Sequence, residues 1–581
     1  MKRSTRWIIL LLVLFFLFFL VAGMTLGVYL FSRQGIVRSP RVLVFNVPAT
    51  IPEVPESPGL TSIFGQRRPT LFEITKAIRE AAQDDAVSAL LMKISFLQMG
   101  WGQVQELRDA LSEFRGSGKP LYAYLEFGDN REYYLSAVAE GIYMPPETFA
   151  RFGLLSETTF YRKTMEKIKV KPQLEHVGKY KSASDIFMRE EMSEEHRTSM
   201  NTLLDSLYDQ MVRDIARDRS LAPETIKETF DRGLLSPDEL VEAALIDAIL
   251  YPDEVEDRVR DALNGTPEEE LDKISMNDYA RRTGLGFDFG KKKIALIIAS
   301  GTISSGKSAS GGWSEVIGSD TLRRQLRAVR EDEGIQAVVL RIDSPGGSGF
   351  ASDLIWREVE LTRQEKPVVV SMSDLAASGG YYVAMPADYI YAQPGTLTGS
   401  IGVIAGKFVL EDLYEWAGMN VEILKRGKNS EMLSASQGFT EEQREILQAN
   451  IRQFYDRFVE KAAIGRNMAV EEIDRVAQGR VWTGEQAQAL GLVDELGNLQ
   501  DALDKAKEMA GIPPEKEVAL EVYPREKTFF EQFEQMNEVR ASAVTDGLPE
   551  PVQKWMEKAA LAERFKNEPA LYLMPSVPKI R

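Results

Sequence analysis

The chain is written twice. Slid along itself by 248 positions, Tyr133 and Tyr134 fall on Tyr381 and Tyr382, Ala139 on Ala387, Ile142 and Tyr143 on Ile390 and Tyr391, and Pro146 and Thr148 on Pro394 and Thr396. The same shift lays ALLMKI (89–94) over AVVLRI (337–342), and a shift of 247 lays SPDELVEAALIDAI (236–249) over TGEQAQALGLVDEL (483–496). Self-similarity at this spacing is a tandem duplication of one domain of about 200–250 residues. The expected organisation is an N-terminal segment 1–35, a first repeat 36–285, a second repeat 290–525 and a C-terminal extension 526–581. The junction falls in the charged, glycine-containing stretch 281–293.

Each copy alternates short apolar runs with helical patterns. In the second copy, residues 294–299 (IALIIA), 337–342 and 367–372 (PVVVSM) read as buried strands, and residues 319–330 and 351–363 as helices. Thr440-Glu441-Glu442-Gln443 is a capping-box pattern that opens a helix running to about Asn467, the Thr hydroxyl and the Gln side chain each satisfying a free backbone N–H. Strand–helix alternation predicts an α/β domain with a largely parallel sheet. The extension after Pro524 has no counterpart in the first copy; it is partly helical in pattern and uninformative about chemistry.

Residues 7–31 carry no charge. As a helix they span roughly 37 Å at about 1.5 Å per residue, enough to cross a bilayer. The run exceeds the apolar part of a cleavable signal peptide, so an uncleaved anchor is expected. Lys2, Arg3 and Arg6 precede it and Arg33, Arg38 and Arg41 follow, so charge balance does not set the orientation. A large domain behind one N-terminal anchor is expected to be exported.

Composition removes several function classes. A net charge of −17, with no basic block beyond the extreme N-terminus, argues against nucleic acid as a partner. The absence of cysteine excludes disulfides, thiol nucleophiles and thiolate metal sites. Histidine occurs only as His176 and His196, so a three-histidine zinc site cannot be built in one chain, and a Ser-His-Asp triad would have to use one of these two. His196 falls on Gln443 at a polar helix start and is expected in solvent.

Two glycine-rich turns in the second copy could carry chemistry. Asp343-Ser344-Pro345-Gly346-Gly347-Ser348 follows a strand, and its glycines let backbone N–H groups approach a ligand closely. Taken alone it is an ordinary strand-to-helix turn. Some thirty residues on, Asp374-Leu375-Ala376-Ala377-Ser378-Gly379-Gly380-Tyr381 places a serine between a strand and a helix, where its hydroxyl could act as a nucleophile or simply as an N-cap. The first copy separates these readings. Asn130 stands where the second has Ser378, Arg131-Glu132 where it has Gly379-Gly380, and Phe-Leu-Gln-Met (96–99) where it has Ser344–Gly347. The first copy keeps the flanking strand and helix patterns and loses the small residues that admit a substrate.

SPGG, then AASGGY, then GTLTGSIG (395–402), resembles the serine half of the signal peptide peptidase A family in its long tandem-repeat form, and the resemblance extends over the anchor and both repeats. It implies two tandem α/β domains of ClpP/crotonase-like fold behind a single N-terminal transmembrane helix. In that family the general base is a lysine in a Gly-x-Tyr-Lys-Ser-Ala segment of the first repeat. This chain has Gly178-Lys179-Tyr180-Lys181-Ser182-Ala183, so Lys181 is the matching residue, and Ser430 occupies its place in the second copy. Serine and lysine thus each survive in one repeat, as a split site would require.

The resemblance implies a Ser/Lys-dyad serine endopeptidase. Ser378 would be the nucleophile, Lys181 the base, Gly346, Gly347 and Gly379 the oxyanion donors, and Ser400 the residue orienting the lysine. Such a lysine acts only as the neutral amine, which burial must favour. His176 lies near Lys181 in sequence and is a candidate for lining the site; the charge of Lys179 could lower the Lys181 pKa or be solvated. The implied substrates are apolar peptides, chiefly signal peptides left in the bacterial inner membrane after export, with the bulk of the chain on the periplasmic side. A homotetramer, and no metal or cofactor, are also implied. The rival readings are an inactive membrane-bound peptide-binding scaffold and a crotonase-type acyl-CoA enzyme; the second would need a basic CoA site and leaves the serine–lysine pair unexplained.

Overall fold

The computed structural model describes residues 41–55, 68–266, 270–282, 292–309, 315–525 and 571–574. The expected anchor, most of the repeat junction and most of the C-terminal extension lie outside the described residues. Among the described residues no helix is long and apolar enough to cross a membrane.

In the first repeat the apolar runs become parallel strands β1 (Arg41–Val47), β2 (Val87–Ile94), β3 (Leu121–Leu125) and β4 (Gly141–Met144). The sheet runs Ala248–Ile249, β4, β3, β2, β1, Lys273–Ser275, with every pairing parallel. Leu90, Leu91 and Met92 are all fully buried because both faces of the sheet are covered, which is why the strand reads as a continuous apolar run instead of alternating. Helix α1 (Trp101–Gly116) follows β2, and α2 (Asn130–Ser136) follows β3. Later come strand β5 (Lys171–Val177) and the long helix α3 (Glu194–Arg219).

The second repeat reproduces this plan with β6 (Lys293–Ser300), β7 (Ile335–Ser344), β8 (Gly346–Ser348), α4 (Gly349–Arg363), β9 (Val368–Ala377), α5 (Gly379–Ala384), β10 (Tyr389–Ala392), β11 (Leu397–Gly399), β12 (Val403–Val409) and α6 (Glu441–Arg466). Its main sheet runs Val481–Thr483, β11, β9, β7, β6, Ala519–Tyr523, with β10 also against β9; only Val481–Thr483 is antiparallel to its neighbour. The capping box expected at Thr440 is formed, and α6 ends on Asn467 in the left-handed conformation.

The duplication is legible in individual hydrogen bonds. Tyr133 Oη donates to Leu245 O and Tyr381 Oη to Leu492 O; Ile142 N donates to Asp247 Oδ2 and Ile390 N to Asp494 Oδ2. Each repeat has its own apolar core, and a buried polar seam joins them. Arg341 on β7 is fully buried and pairs with Glu53 and Glu106 of the first repeat. Asp374 on β9 accepts N–H from Gly100 (2.9 Å) and Gln103 (2.8 Å), capping α1 from the other repeat.

One strand breaks the symmetry of the two halves. β5 belongs in sequence to the first repeat, yet it pairs along its whole length, antiparallel, with β12 of the second, from Val177 opposite Val403 to Lys171 opposite Val409. The third sheet so formed runs Val316–Gly318, Thr302–Ser304, β8, β13 (Leu571–Leu573), β12, β5.

Candidate active site

Ser378 is the hinge between β9 and α5. Its N–H donates to Gly399 O at 2.8 Å, and its backbone is held at φ 56°, ψ −111°, a left-handed setting that is costly for a residue with a Cβ. The N-cap alternative fails on geometry, because the hydroxyl makes no capping hydrogen bond to α5. It faces Lys181 instead.

The β5–β12 pairing delivers that lysine. Beyond Val177 the chain turns at Gly178 (φ 108°), where a Cβ would lie 2.6 Å from the Gln478 carbonyl carbon. Tyr180 N donates to Gln478 O at 2.8 Å. Gly479 and Gly402 wall the lysine: a Cβ on the first would sit 2.6 Å from Lys181 Cβ, and on the second 3.0 Å from its Cδ. Lys181 Nζ then lies 2.8 Å from Ser378 Oγ, 2.7 Å from Ser400 O and 3.0 Å from Ser400 Oγ. Lys181, Ser378 and Ser400 are all fully buried.

Burial alone drives the Lys181 pKa well below its ordinary value, since no carboxylate compensates. The neutral amine has two hydrogens and one lone pair. Ser400 O can only accept and Ser400 Oγ is free to accept, so the lone pair remains for the Ser378 O–H. Lys179, by contrast, is exposed, its Nζ 5.1 Å from the centre of the Tyr180 ring.

The two glycine turns meet beside the serine. A Cβ on Gly379 would lie 2.7 Å from Ser352 Oγ and 3.1 Å from Gly347 N; one on Gly380 would lie 2.7 Å from Ser344 O. Gly346 and Gly347 have φ of 101° and 156°, and a Cβ on Gly347 would strike Ile303 O at 2.0 Å. Small residues are therefore required on both turns.

In the first copy the same space is filled. Arg131, in place of Gly379, donates to Met99 O, and Glu132, in place of Gly380, accepts Leu97 N at 2.6 Å. Asn130 is spent on Asp129 and on Gly153, whose O it reaches at 3.2 Å. Ser430, the counterpart of Lys181, is exposed and bonds only locally, to Gly427 O.

Two expectations from sequence need comment, and one feature was missed. His196 is not in solvent: the first turn of α3, capped by Ser193, is covered, so His196 is buried and its pKa is depressed. The polar helix start concealed this; the His196 ring lies 6.5 Å from that of Phe160 in the same repeat. His176 is exposed on β5, its Nδ1 3.1 Å from Gly178 O. The missed feature is the C-terminal extension, whose role the sequence left open: β13 lies against β8, at the glycine turn itself. With no counterpart in the first copy, it left no signal in the repeat.

Comparison with known proteins agrees with this arrangement. The family model described as "Peptidase family S49" matches residues 113–265 and again 360–513, one match per repeat. "Protease 4" of Salmonella typhi is 31% identical over 93% of this chain and 89% of its own, and "Protease 4" of Haemophilus influenzae 28% identical over 87% and 85%. "Serine protease SPPA, chloroplastic" of Arabidopsis thaliana is 37% identical over 79% of this chain and 68% of its own. Among solved structures, "ClpP1 from Listeria monocytogenes" covers 36% of this chain and 94% of its own at 14% identity and a TM-score of 0.22, too loose a likeness to bear on the argument.

Family and fold together define a serine peptidase built from two tandem α/β repeats. The chain belongs to peptidase family S49, the signal peptide peptidase A family, in its long tandem form.

Proposed function

We propose that the chain is a membrane-anchored endopeptidase in which Ser378 attacks the peptide carbonyl while Lys181 takes its proton and later returns it to the leaving amine. The observation that carries this reading is the 2.8 Å contact between Ser378 Oγ and a buried amine whose remaining contacts are both acceptors. Ser400 orients the amine. The N–H groups of Gly379 and of the Gly346-Gly347 turn receive the oxyanion, a task that needs backbone donors held in place before the charge develops. Apolar extended peptides are the proposed substrates, chiefly signal peptides remaining in the membrane, with residues 7–31 as the anchor and the bulk of the chain on the periplasmic side of the bacterial inner membrane. No metal or cofactor enters the proposed mechanism.

A homotetramer is part of the proposal, and the repeat supports it. Residues 420–426, the counterpart of β5 at a shift of 249, form no strand, and Val421, Ile423 and Leu424 are 53%, 39% and 89% exposed beside Trp416 at 75%. The first-copy counterpart of β12, residues 155–161, likewise joins none of the named strands, and Leu155 is 54% exposed. Head-to-tail pairing of these two segments between copies would repeat the β5–β12 contact, and a heterologous contact of this kind forms a ring where its rotation closes.

The test is hydrolysis of an apolar fluorogenic peptide by detergent-solubilised full chain. Ser378→Ala and Lys181→Ala should each lower kcat/KM by at least about 10³-fold while both variants still unfold cooperatively. Undiminished hydrolysis by Ser378→Ala would overturn the mechanism.

A further inference from the structure

The repeat singles out two more positions close to the serine turn. Asp343 follows the apolar run of β7 and Asp374 lies just past that of β9, and at a shift of 248 they stand over Ser95 and Glu126. In the first copy these two positions touch: Ser95 Oγ donates to Glu126 Oε2 at 2.6 Å, and both residues are exposed. In the second copy both side chains are carboxyls, and both are half-buried.

β7 and β9 pair regularly from Val338 opposite Val368 to Ile342 opposite Met372, then resume with Ser344 opposite Ala376. Ser373, Asp374 and Leu375 therefore bulge opposite Asp343 alone, and a bulge re-aims the strand that carries it. Asp343 closes this one, its Oδ1 accepting Leu375 N at 3.0 Å. Past the bulge β9 turns to β11, from Leu375 opposite Leu397 to Ala377 opposite Gly399, and runs into Ser378. Asp343 also precedes Gly346 by three residues, and its carbonyl accepts Gly301 N at 2.9 Å. One residue thus ties the approach to the glycine turn to the approach to the serine.

We infer that Asp343 is a positioning residue for Ser378 that works as the neutral acid, accepting Leu375 N through one oxygen and donating its proton to Asp374 through the other, as Ser95 donates to Glu126. The inference rests on the peptidase reading. Besides each other, the charged groups acting on the two carboxyls are Glu53 beyond β1 and Arg341 on β7. Arg341 is already shared by Glu53 and by Glu106 of α1, so it cannot neutralise both aspartates. Asp374 accepts two backbone N–H groups and Asp343 one, which makes Asp374 the better anion and leaves the proton on Asp343. Desolvation and the Asp374 charge hold the Asp343 carboxyl well above its usual range. Loss of that proton sets two like charges across the bulge and moves the serine strand off its contact with Lys181.

The experiment follows kcat and KM for an apolar fluorogenic peptide against pH in full chain, using only the range from which activity returns at neutral pH. Wild-type kcat should rise as Lys181 loses its proton and fall at higher pH as Asp343 ionises. Asp343→Asn still accepts Leu375 N and donates an N–H to Asp374, but does not titrate. It should keep kcat within about threefold of wild type and lack the alkaline fall. Asp343→Ala should lower kcat by about tenfold to 100-fold with KM within about threefold, since a displacement of about 1 Å is enough. A wild-type profile without the fall, an Asn variant that shares it, or an Asn variant as slow as Ala overturns the inference and leaves the peptidase standing. Should the Ala variant not fold, the Asn profile decides alone. If no variant hydrolyses peptide, the peptidase reading fails instead, and infrared spectroscopy at neutral pH judges the proton. A protonated-carboxyl band present in wild type and missing from Asp343→Asn supports it; identical spectra refute it.

Discussion

Lys181 shows how one residue can be made reactive by being left unpaired. Its amine has no carboxylate partner, and burial alone holds its pKa well below the usual 10.5. The consequence for stability has a definite sign. Between the folded and unfolded pKa values the unfolded chain binds the extra proton, so stability rises with pH across that window. Lys181→Met removes this dependence. Denaturant titrations of wild type and Lys181→Met should therefore diverge as pH rises toward about 10, wild type gaining on the variant; parallel curves would mean that Lys181 is charged in the fold. On the proposed mechanism activity should follow the same direction, falling on acidification as the amine is protonated. Lys181→Arg, which cannot deprotonate, should be inactive at every pH.

At the scale of elements, the site depends on close approaches between repeats. β9 runs five residues past the apolar stretch that announced it, because Asp374 and the residues after it stay in the sheet as far as the serine turn. Along that stretch α1 comes so near that a Cβ on Gly102 would lie 2.7 Å from the backbone oxygen of Ser373. Asp374 itself is half-buried and its carboxyl is pushed up to about 6, desolvation outweighing the two backbone N–H groups it accepts. Gly102→Ala should destabilise the chain by about 1–3 kcal/mol, since backbone cannot yield cheaply. Gly116→Ala, at the other end of α1 with nothing within 4 Å, should stabilise by up to about 1 kcal/mol. Urea denaturation of the pair separates helix propensity from the packing constraint; equal effects would show that the repeats are not held against each other at Gly102.

For the whole molecule, the decisive element is a strand that leaves its own repeat. β5 carries Lys181 into the second repeat, and without that crossing the two halves of the site would lie in separate domains. The same logic leaves residues 420–426 of the second repeat without an equivalent strand to join and with large apolar side chains in solvent, a costly surface for a monomer. Trp416→Glu combined with Leu424→Glu should reduce the mass of the detergent-solubilised assembly, measured by light scattering, from that of the proposed tetramer to smaller species. An unchanged mass would remove this segment from the interface.

Much of this was written in the chain before it folded. The internal repeat placed the parallel strands of both sheets, because apolar runs at matching positions can only be buried in matching ways. The loss of small residues at Asn130, Arg131 and Glu132 marked the second copy as the one with room for a substrate, and the Gly-Lys-Tyr-Lys-Ser-Ala segment marked Lys181 through family resemblance. What the sequence could not express was contact between residues far apart in it. The meeting of Lys181 with Ser378 depends on strand pairing across 197 positions, the burial of His196 on packing beside Phe160, 36 positions away, and the seating of Leu571 and Met574 on pockets that exist only once β5, β12 and α3 are assembled. Local patterns record which face of an element must be hidden; only the assembled chain decides what hides it.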